Sequence, residues 1–446
     1  MKPLKYNLAS ISPIDGRYRN QVEELSLYTS ELGLIRYRVK IEIDYLFHLS
    51  RAGVLRKFSK KEREILENIY TKFDDKDAEK IKETEDQTKH DVKAVEYFLR
   101  DQLSKTSLKD ISEFVHFGLT SEDINNLSYR LMLNDSNSEI ILRSLDALLE
   151  VILDFARKYK NLPMLGRTHG QPAIPTTLGK EFSVYYERLN TEVQILKKTK
   201  FRGKLNGAVG NYNALYFAYP KINWQKFSKN FVDSFGLDWA KNTTQIAHAE
   251  DIIYFFQTLQ RINGILLDFD QDMWRYVSDG WFTQTLKRKE VGSSTMPQKV
   301  NPIFFENSEG NLIVANSLIA GFAEKLPISR LQRDLSNSTI SRNYGACLAY
   351  CLIAYKNSLS GLLRINPNKE KIKDDLNSDW SILTEAIQIF LKKNGIKNGY
   401  EIVKNYVRGQ ELTRDDFWKM IDKLPLNISQ KNKLKRITPE NYTGVY

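Results

Sequence analysis

The feature that most constrains the fold is a series of long segments with helical periodicity in the middle of the chain. Between Ser138 and Lys160, apolar residues recur at the spacing of one face of an α-helix. The same spacing recurs after Pro175, over residues 250–278, from Pro302 to residue 324, and over residues 338–363. Helices of this length bury their apolar faces by packing side by side, so the pattern predicts a helical bundle.

The predicted fold class is mainly α, with three helical domains and an elongated bundle of long helices in the central one. Strand-like segments are few and short, and the helical patterns at both ends of the chain are shorter and more charged. We place the N-terminal helical domain at residues 1–110, the central long-helix bundle at 111–364 and the C-terminal helical domain at 365–446. A chain of 446 residues is long enough for several domains.

The composition of the chain limits where the protein can be located and what kind of partner it can bind. The longest apolar runs fall far short of the ~20 residues that span a bilayer, and the first residues lack the apolar core of a secretory signal. We therefore expect a cytoplasmic protein that needs no membrane. The net charge of +11 suits an anionic partner, either nucleic acid or a phosphorylated small molecule, and composition does not choose between them.

The cysteines argue against a metal centre. Cys347 and Cys351 lie four residues apart in an apolar segment, a spacing that places both on one face of a helix. A small buried hydrophobe is the commonest role of such a residue, and a metal site would need more ligands nearby. We expect no metal and no cofactor.

A polar segment between two helical patterns carries the most specific motif. Residues 283–299 read TQTLKRKEVGSSTMPQK, and a polar loop of this length with a glycine is more often a functional lid than a plain connector. Taken alone, its GSS triplet is also consistent with a turn that caps a helix. The full string GSSTMPQKVNP resembles the signature of the fumarase and aspartase superfamily, whose members share a central helical bundle and eliminate fumarate from a succinyl group.

Further blocks resemble one branch of that superfamily, the bacterial adenylosuccinate lyases. The blocks are SPIDGRY at 12–18, TKHDVKAVEYFL at 88–99, HFGLTSEDINN at 116–126, RTHGQPAIPTTLGKE at 167–181, KLNGAVGNYNA at 204–214, TTQI at 243–246 and RLQRDLSNSTISRN at 330–343. One departure is Gln298, which stands where relatives often carry histidine. The resemblance implies a fumarase/aspartase-like fold and a homotetramer with shared active sites.

The reaction implied by the resemblance is an anti elimination of fumarate from adenylosuccinate, giving AMP, and from SAICAR, giving AICAR, in purine biosynthesis. Ser293 corresponds to the base that removes a proton next to a carboxylate, and His169 to the acid that protonates the leaving nitrogen. Imidazole suits this task because its unperturbed pKa of ~6.5 allows either charge state near neutral pH. A free serine hydroxyl is a weak base, so the site must surround it with positive potential.

The substrate carries a phosphate and two carboxylates, which call for arginine and hydroxyl donors. The resemblance assigns substrate-binding roles to the positions that match the family's contacts. These are Arg17, Tyr18, Lys89, His90, Asp91, Thr120, Ser121, Gln245, Ser294, Lys299, Asn301, Asn307, Arg333, Ser338 and Arg342.

The five histidines divide into two groups. His90 and His169 stand beside matched motifs, in polar loops that we expect to start helices. His48 and His248 receive no role, and His116, which we place on an apolar helix, is interpreted as packing.

Two other functions stay open. Another fumarate-releasing lyase, such as an argininosuccinate lyase, would lack the SPIDGRY and QRDLSNS blocks, and a helical nucleic-acid-binding protein would bind in a salt-sensitive way.

Overall fold

The computed structural model describes residues 8–285 and 295–446, and within them the fold is mainly α, as predicted. The chain divides into two compact units. Unit 1 consists of Met1–Leu145, Glu192–Gly264 and Gly310–Lys356, and unit 2 of Asp146–Thr191, Ile265–Glu309 and Asn357–Tyr446. The division into three domains at residues 110 and 364 stays a prediction.

The first part of the chain consists of helices joined by short turns. They are α1 (Arg19–Val22), α2 (Ser26–Thr29), α3 (Glu31–Arg51), α4 (Lys60–Thr71), α5 (Asp75–Thr88), α6 (Asp91–Ser104) and α7 (Ser121–Ser136), with 3-10 turns at Glu23–Leu25 and Lys109–Phe114. Side chains cap several of these helices. At the start of α4, Ser59 and Glu62 each bind the other's backbone N–H, a reciprocal cap that satisfies two otherwise free donors.

The middle of the chain holds the long helices that the periodicity predicts. They are α8 (Leu142–Lys158), α9 (Leu178–Lys197), α12 (Glu250–Ser278), α13 (Ile303–Lys325) and α15 (Tyr344–Leu362), with α10 (Asn213–Ala218), α11 (Trp224–Asp233) and α14 (Ser336–Ser341) between them. The C-terminal part adds α16 (Lys369–Asn377), α17 (Thr384–Lys393), α18 (Gly399–Val407), α19 (Arg414–Lys423) and α20 (Ile428–Leu434), and a 3-10 turn at Trp380–Leu383.

Two helix boundaries differ from the prediction. The helix expected to begin at Ser138 is continuous with α7, because a π-helical turn at Asn137–Ile141 joins α7 to α8. A π turn holds one residue more than an α turn and so shifts the apolar stripe, which made the two parts read as separate helices. The helix expected over residues 338–363 is instead two helices, α14 and α15, separated by a turn at residues 342–343.

Six short strands pair in twos within the ranges that the structure describes. In unit 2, β1 (Pro163–Thr168) runs antiparallel to β2 (Gln171–Thr177), and β5 (Phe282–Gln284) runs antiparallel to β6 (Ile365–Pro367). In unit 1, β3 (Arg202–Gly203) is parallel to β4 (Asp238–Trp239). The β1–β2 hairpin matters most, since it carries one of the predicted catalytic residues.

Each unit has its own aromatic and aliphatic core. In unit 1, Phe256 of α12 packs against Phe322 of α13 and Tyr344 of α15, with ring centroids 4.9 and 5.2 Å apart. In unit 2, Phe155 of α8 stacks on Phe182 of α9 at 4.9 Å. Aromatic side chains bury large apolar areas, so these contacts hold the long helices of each unit together.

The two cysteines lie where the sequence predicts. Cys347 and Cys351 are both buried in α15, and neither forms a disulfide. Within residues 8–285 and 295–446, no helix is both long enough and apolar enough to cross a bilayer.

Candidate active site

The turn between α5 and α6, in unit 1, presents Lys89, His90 and Asp91. Lys89 ends α5 in the left-handed region with φ of 56°. His90 then caps α6, because its Nδ1 accepts a hydrogen bond from the N–H of Lys93 at 3.2 Å. With Nδ1 acting as acceptor, the neutral ring carries its proton on Nε2, where it is free to donate. The predicted position of His90, in a loop that starts a helix, is confirmed.

Asp91 connects this turn to two arginines. Its Oδ2 lies 2.6 Å from Arg38 Nη2 and 3.5 Å from Arg342 Nη2, so two predicted substrate contacts, Asp91 and Arg342, meet in one ion-pair cluster. Burial raises the pKa of Asp91, but the charges of Arg38 and Arg342 and the N–H of Val92 outweigh it, and the pKa lies below its ordinary value. The carboxylate therefore stays ionised and holds Arg342 at the site.

The placement of His116 on an apolar helix is wrong. His116 and Gly118 have φ of 60° and 68°, a left-handed conformation that a helix cannot accommodate, and both lie in a turn before α7. His116 Nδ1 is 2.6 Å from Oε1 of Glu42, which is fully buried. Burial lowers the pKa of His116, but the charge and hydrogen bond of Glu42 together with the charges of Glu96 and Asp123 outweigh it, so the pKa lies above the ordinary value.

Three predicted substrate contacts from separate segments meet in unit 1. Nη1 of Arg333 lies 3.3 Å from Ser121 Oγ and 3.2 Å from Gln245 Oε1. Gln245 is oriented by a bond from its Nε2 to the carbonyl oxygen of Ala208 at 3.0 Å. Arg333 and Ser338 line one small polar cavity of about 50 Å³. The structure therefore brings together residues that lie more than two hundred positions apart in the chain.

A buried ion pair between Asp123 and Lys204 stabilises the segments that carry this cluster. Asp123 is fully buried, and its carboxylate accepts from the N–H groups of Thr120 and Asn206 at 2.9 Å each. Lys204 is also fully buried and places Nζ 3.1 Å from the same carboxylate. Asn206 in turn exchanges hydrogen bonds with Thr243. One carboxylate thus links the segments that carry Thr120, Ser121 and Gln245.

His169, in unit 2, lies at the tip of the β1–β2 hairpin rather than in a loop that starts a helix, and that prediction is wrong. Thr168 pairs with Gln171, so His169 and Gly170 form a two-residue turn. Their φ values of 54° and 75° are both positive, as a type I′ hairpin turn requires. Two prolines in β2 obscure the strand signal in the sequence, because proline is rare inside sheets.

The hairpin tip exposes the imidazole of His169, for which the described ranges provide no hydrogen-bond partner. Lower in the hairpin, Leu165 joins the apolar core formed by the C-terminal helices. At Gly166 the strand register shifts, and a Cβ atom there would lie 2.7 Å from the carbonyl oxygen of Ile174. The base of the hairpin is therefore tightly packed, and its tip holds an accessible histidine with both ring nitrogens available.

The remaining predicted residues lie apart from these contacts or outside the described part. Arg17 and Tyr18 precede α1, with the Arg17 side chain exposed. Lys299 is exposed before α13, whereas Asn301 and Asn307 are half-buried. Ser293 and Ser294 lie outside the described residues. Of the histidines without an assigned role, His48 lies in α3 and His248 precedes α12.

Sequence reasoning missed four residues that organise the unit 1 site, namely Arg38, Glu122, Asp123 and Lys204. Asp123 carried a usable signal, because an acidic residue three positions after a threonine is typical of a helix N-terminus. Arg38 and Lys204 carried none, since a basic residue in a helix or loop is normally exposed. Only their long-range partners explain why both are buried.

Comparison with known proteins identifies the family and the fold. A model of a family described as lyase matches residues 16–316, and a model described as adenylosuccinate lyase C-terminal matches residues 329–443. Among solved structures, a fumarate lyase from Mesorhizobium sp. BNC1 superposes with a TM-score of 0.79 at 16% identity, covering 95% of both chains. The 3-carboxy-cis,cis-muconate lactonizing enzyme from Pseudomonas putida gives a TM-score of 0.75 at 18% identity, covering 95% of this chain and 94% of that one. These two show a shared fold.

Curated sequence relatives are much more similar. Adenylosuccinate lyase from Haemophilus influenzae is 44% identical, and that from Escherichia coli K12 is 43% identical. Each alignment covers 98% of this chain and 97% of the relative. With that identity over nearly its whole length, and with both family models matched in sequence order, the chain belongs to the adenylosuccinate lyase family.

Proposed function

We propose that this chain eliminates fumarate from adenylosuccinate, giving AMP, and from SAICAR, giving AICAR, and so serves purine nucleotide biosynthesis. The observation that carries the proposal is the full-length similarity to relatives named adenylosuccinate lyase. The unit 1 cluster of Arg333, Ser121 and Gln245 supports it, because arginine and neutral donors together suit a phosphorylated, carboxylated substrate.

In the proposed mechanism, Ser293 removes a proton from the succinyl carbon next to a carboxylate. The electron pair of that C–H bond forms the double bond of fumarate as the C–N bond breaks. The C–N electron pair leaves with the nitrogen, and His169 delivers a proton to this nitrogen. The exposed imidazole at the hairpin tip supports the role of His169, since no described protein group competes for its proton. Lys299 and backbone N–H groups near the start of α13 would stabilise the negative charge that develops. The chemistry uses side chains alone and needs no cofactor.

Binding is assigned to two groups of residues. Arg17, Tyr18, Lys89, His90, Arg333, Ser338 and Arg342 would hold the nucleotide and its phosphate, with Asp91 keeping Arg342 in place. Thr120, Ser121, Gln245, Ser294, Asn301 and Asn307 would hold the succinyl part and the rest of the substrate. His90 would donate from Nε2, the nitrogen left free by its cap.

We also propose a cytoplasmic homotetramer in which active sites are shared between subunits. Apolar side chains left exposed on long helices support an association surface, as at Tyr254 of α12 and at Ile313 and Val314 of α13. Sedimentation would show four chains per particle. Mixing inactive Ser293→Ala and His169→Ala chains would restore part of the activity if different chains supply the two groups, and none if each site is built from one chain.

The deciding experiment follows the ultraviolet spectrum of adenylosuccinate with the purified protein, together with detection of fumarate. Equimolar AMP and fumarate are expected, and Ser293→Ala and His169→Ala should each lower kcat by roughly 10²–10⁴-fold, as loss of an acid or base does. His248→Ala and Ser317→Ala are matched controls, because both residues are exposed and lie outside the site. No turnover by the folded wild-type protein would refute the proposal, and turnover of argininosuccinate instead would favour the other lyase.

A further inference from the structure

Arg333 already has an anionic partner before any substrate binds. Its Nη2 lies 3.4 Å from Oε2 of Glu122, while its Nη1 contacts Ser121 and Gln245. The side chains of Arg333 and Glu122 are only 20% and 17% exposed, so bulk water screens their attraction weakly. The guanidinium assigned to substrate is therefore held by a carboxylate that belongs to the protein itself.

The other described cations near Glu122 are paired with other carboxylates. The neighbouring carboxylate, Asp123, is paired with Lys204, and the nearby Arg130 is paired with Asp251 at 2.9 Å. Within the described ranges, Arg333 is the only ion-pair partner of Glu122. Burial raises the pKa of Glu122, and the charges of Arg333, Lys204 and Arg130 lower it by less. A carboxylate in this position depends on Arg333 for its compensation.

The two residues also border the same small cavity. Glu122, Arg130, Arg333 and Ser338 line it, and its volume of about 50 Å³ exceeds what one water molecule requires. A phosphate monoester approaching Arg333 would therefore meet the negative charge of Glu122 at close range. Repulsion between these like charges opposes binding, and Arg333 can satisfy only one of the two anions fully.

We propose that Glu122 is the resting counter-ion of Arg333, a positioning residue that holds the guanidinium in place and competes with the phosphate monoester for it. The inference rests on the proposed function, since it takes the anion that Arg333 binds to be a nucleotide. It makes Glu122 a determinant of anion affinity that has no part in proton transfer. Weaker binding is useful to an enzyme because it lets the phosphorylated product leave.

The test is Glu122→Gln in the full-length protein, with AMP and inorganic phosphate as probes in calorimetric titrations. Glutamine keeps the shape and a carbonyl acceptor for Arg333 but removes the charge. We expect both probes to bind roughly three- to tenfold more tightly, with a gain that shrinks as salt is added. KM for adenylosuccinate should fall by a similar factor, while kcat stays within about twofold of wild type, because the charge acts on binding.

Two variants serve as controls. Glu122→Asp keeps the charge, although its shorter side chain lies farther from Arg333, and should change AMP affinity less than Glu122→Gln does. Glu113→Gln makes the same change in net charge at an exposed carboxylate that pairs with Arg100, and should have no effect. If Glu122→Gln fails to fold, Glu122→Met, which is uncharged and of similar length, makes the same test.

The outcomes separate the two proposals. If wild type binds neither AMP nor adenylosuccinate, the proposed function fails. If wild type binds AMP, and the uncharged variants bind it equally well or more weakly, the proposed function stands and the role of Glu122 is refuted. Tighter binding of phosphate but not of AMP would also refute it, because the cavity would then accept an ion without the nucleotide.

Discussion

Each unit contains an aspartate that is almost completely buried, and the two aspartates have different partners. In unit 1, Asp123 is 0% exposed and faces the ammonium group of Lys204 and three backbone N–H groups, from Thr120, Asn206 and Gly207. In unit 2, Asp270 of α12 is 1% exposed, and its carboxyl group accepts hydrogen bonds from the hydroxyl groups of Ser308 and Ser358. The two aspartates are almost equally buried, but within the described ranges only Asp123 is paired with a cation.

The charge of Asp270 follows from its partners. Asp123 accepts hydrogen bonds from three backbone N–H groups and lies beside the ammonium group of Lys204, whereas Asp270 has only hydroxyl donors within the described ranges. Burial raises the pKa of Asp270 to about 8, even though bonds from Ser308 and Ser358 lower it, because hydroxyl groups offset desolvation far less than an ammonium does. At neutral pH the carboxyl group of Asp270 is therefore mostly protonated. A buried carboxyl group is held in its neutral form where the fold supplies no compensating cation.

The largest effect is expected from Lys204→Met, which removes the cation from Asp123 and keeps the volume of the side chain. Breaking a buried pair on one side costs about 3–5 kcal/mol, because it leaves the other charge uncompensated. Asp123 would then lie buried without a cation, as Asp270 does. A buried carboxylate without a compensating charge destabilises the fold more than a neutral group does, so the variant should lose more stability at pH 8 than at pH 5.

Denaturant unfolding at pH 5 and pH 8 measures this prediction. Lys200→Met, which removes an exposed lysine, provides the matched control and should cost almost nothing. The comparison between the two aspartates breaks down if Lys204→Met unfolds at the same denaturant concentration as wild type. It also breaks down if the stability lost by the variant does not depend on pH.

At pH 5 a smaller effect is expected from Asp270→Asn, and this effect grows with pH. Between about pH 4 and pH 8 the folded wild type holds a proton that the unfolded chain gives up, so wild-type stability falls as pH rises. Asparagine does not titrate, so the free energy of unfolding of the variant should rise relative to that of wild type by roughly 1 kcal/mol per pH unit over this window. Above about pH 8 both forms of Asp270 are ionised, and the difference should level off.

Unfolding free energies at several pH values between 5 and 9 test this second prediction. Asp268→Asn changes an aspartate that is 53% exposed and should show little dependence on pH. Ser358→Ala removes a donor to Asp270 and should extend the pH window upward, since that hydrogen bond lowers the pKa. A constant difference between wild type and Asp270→Asn would contradict the prediction, because it would mean that Asp270 does not change its charge between pH 5 and pH 9.

Much of the fold could be predicted from apolar spacing alone. The helix predicted over residues 250–278 coincides with α12, and the helix predicted after Pro175 corresponds to α9. The prediction was wrong at the π turn of Asn137–Ile141 and at the hairpin of His169. The π turn contains one residue more than an α turn, and the hairpin turn contains two residues in the left-handed conformation. Neither feature can be predicted from the spacing of apolar residues.

Some residues of the candidate site could likewise be predicted from the sequence, and others could not. The motifs led to His90, Ser121, Gln245, Arg333 and Arg342, and the structure joins most of these through ion pairs and hydrogen bonds. They did not lead to Glu122 or Lys204, although these residues control the charge around that group. Their signal lies in partners from distant segments, such as Glu122 with Arg333 and Lys204 with Asp123.

The sequence by itself determined that this is a mainly α chain of the fumarate-releasing lyase superfamily, because helical period and motif identity are local properties of the residues. Tertiary structure alone decided which charges are buried, which are paired and which carry a proton. Those properties depend on the desolvation of a group and on the charges brought within a few ångströms of it, and both are set only when distant segments pack together.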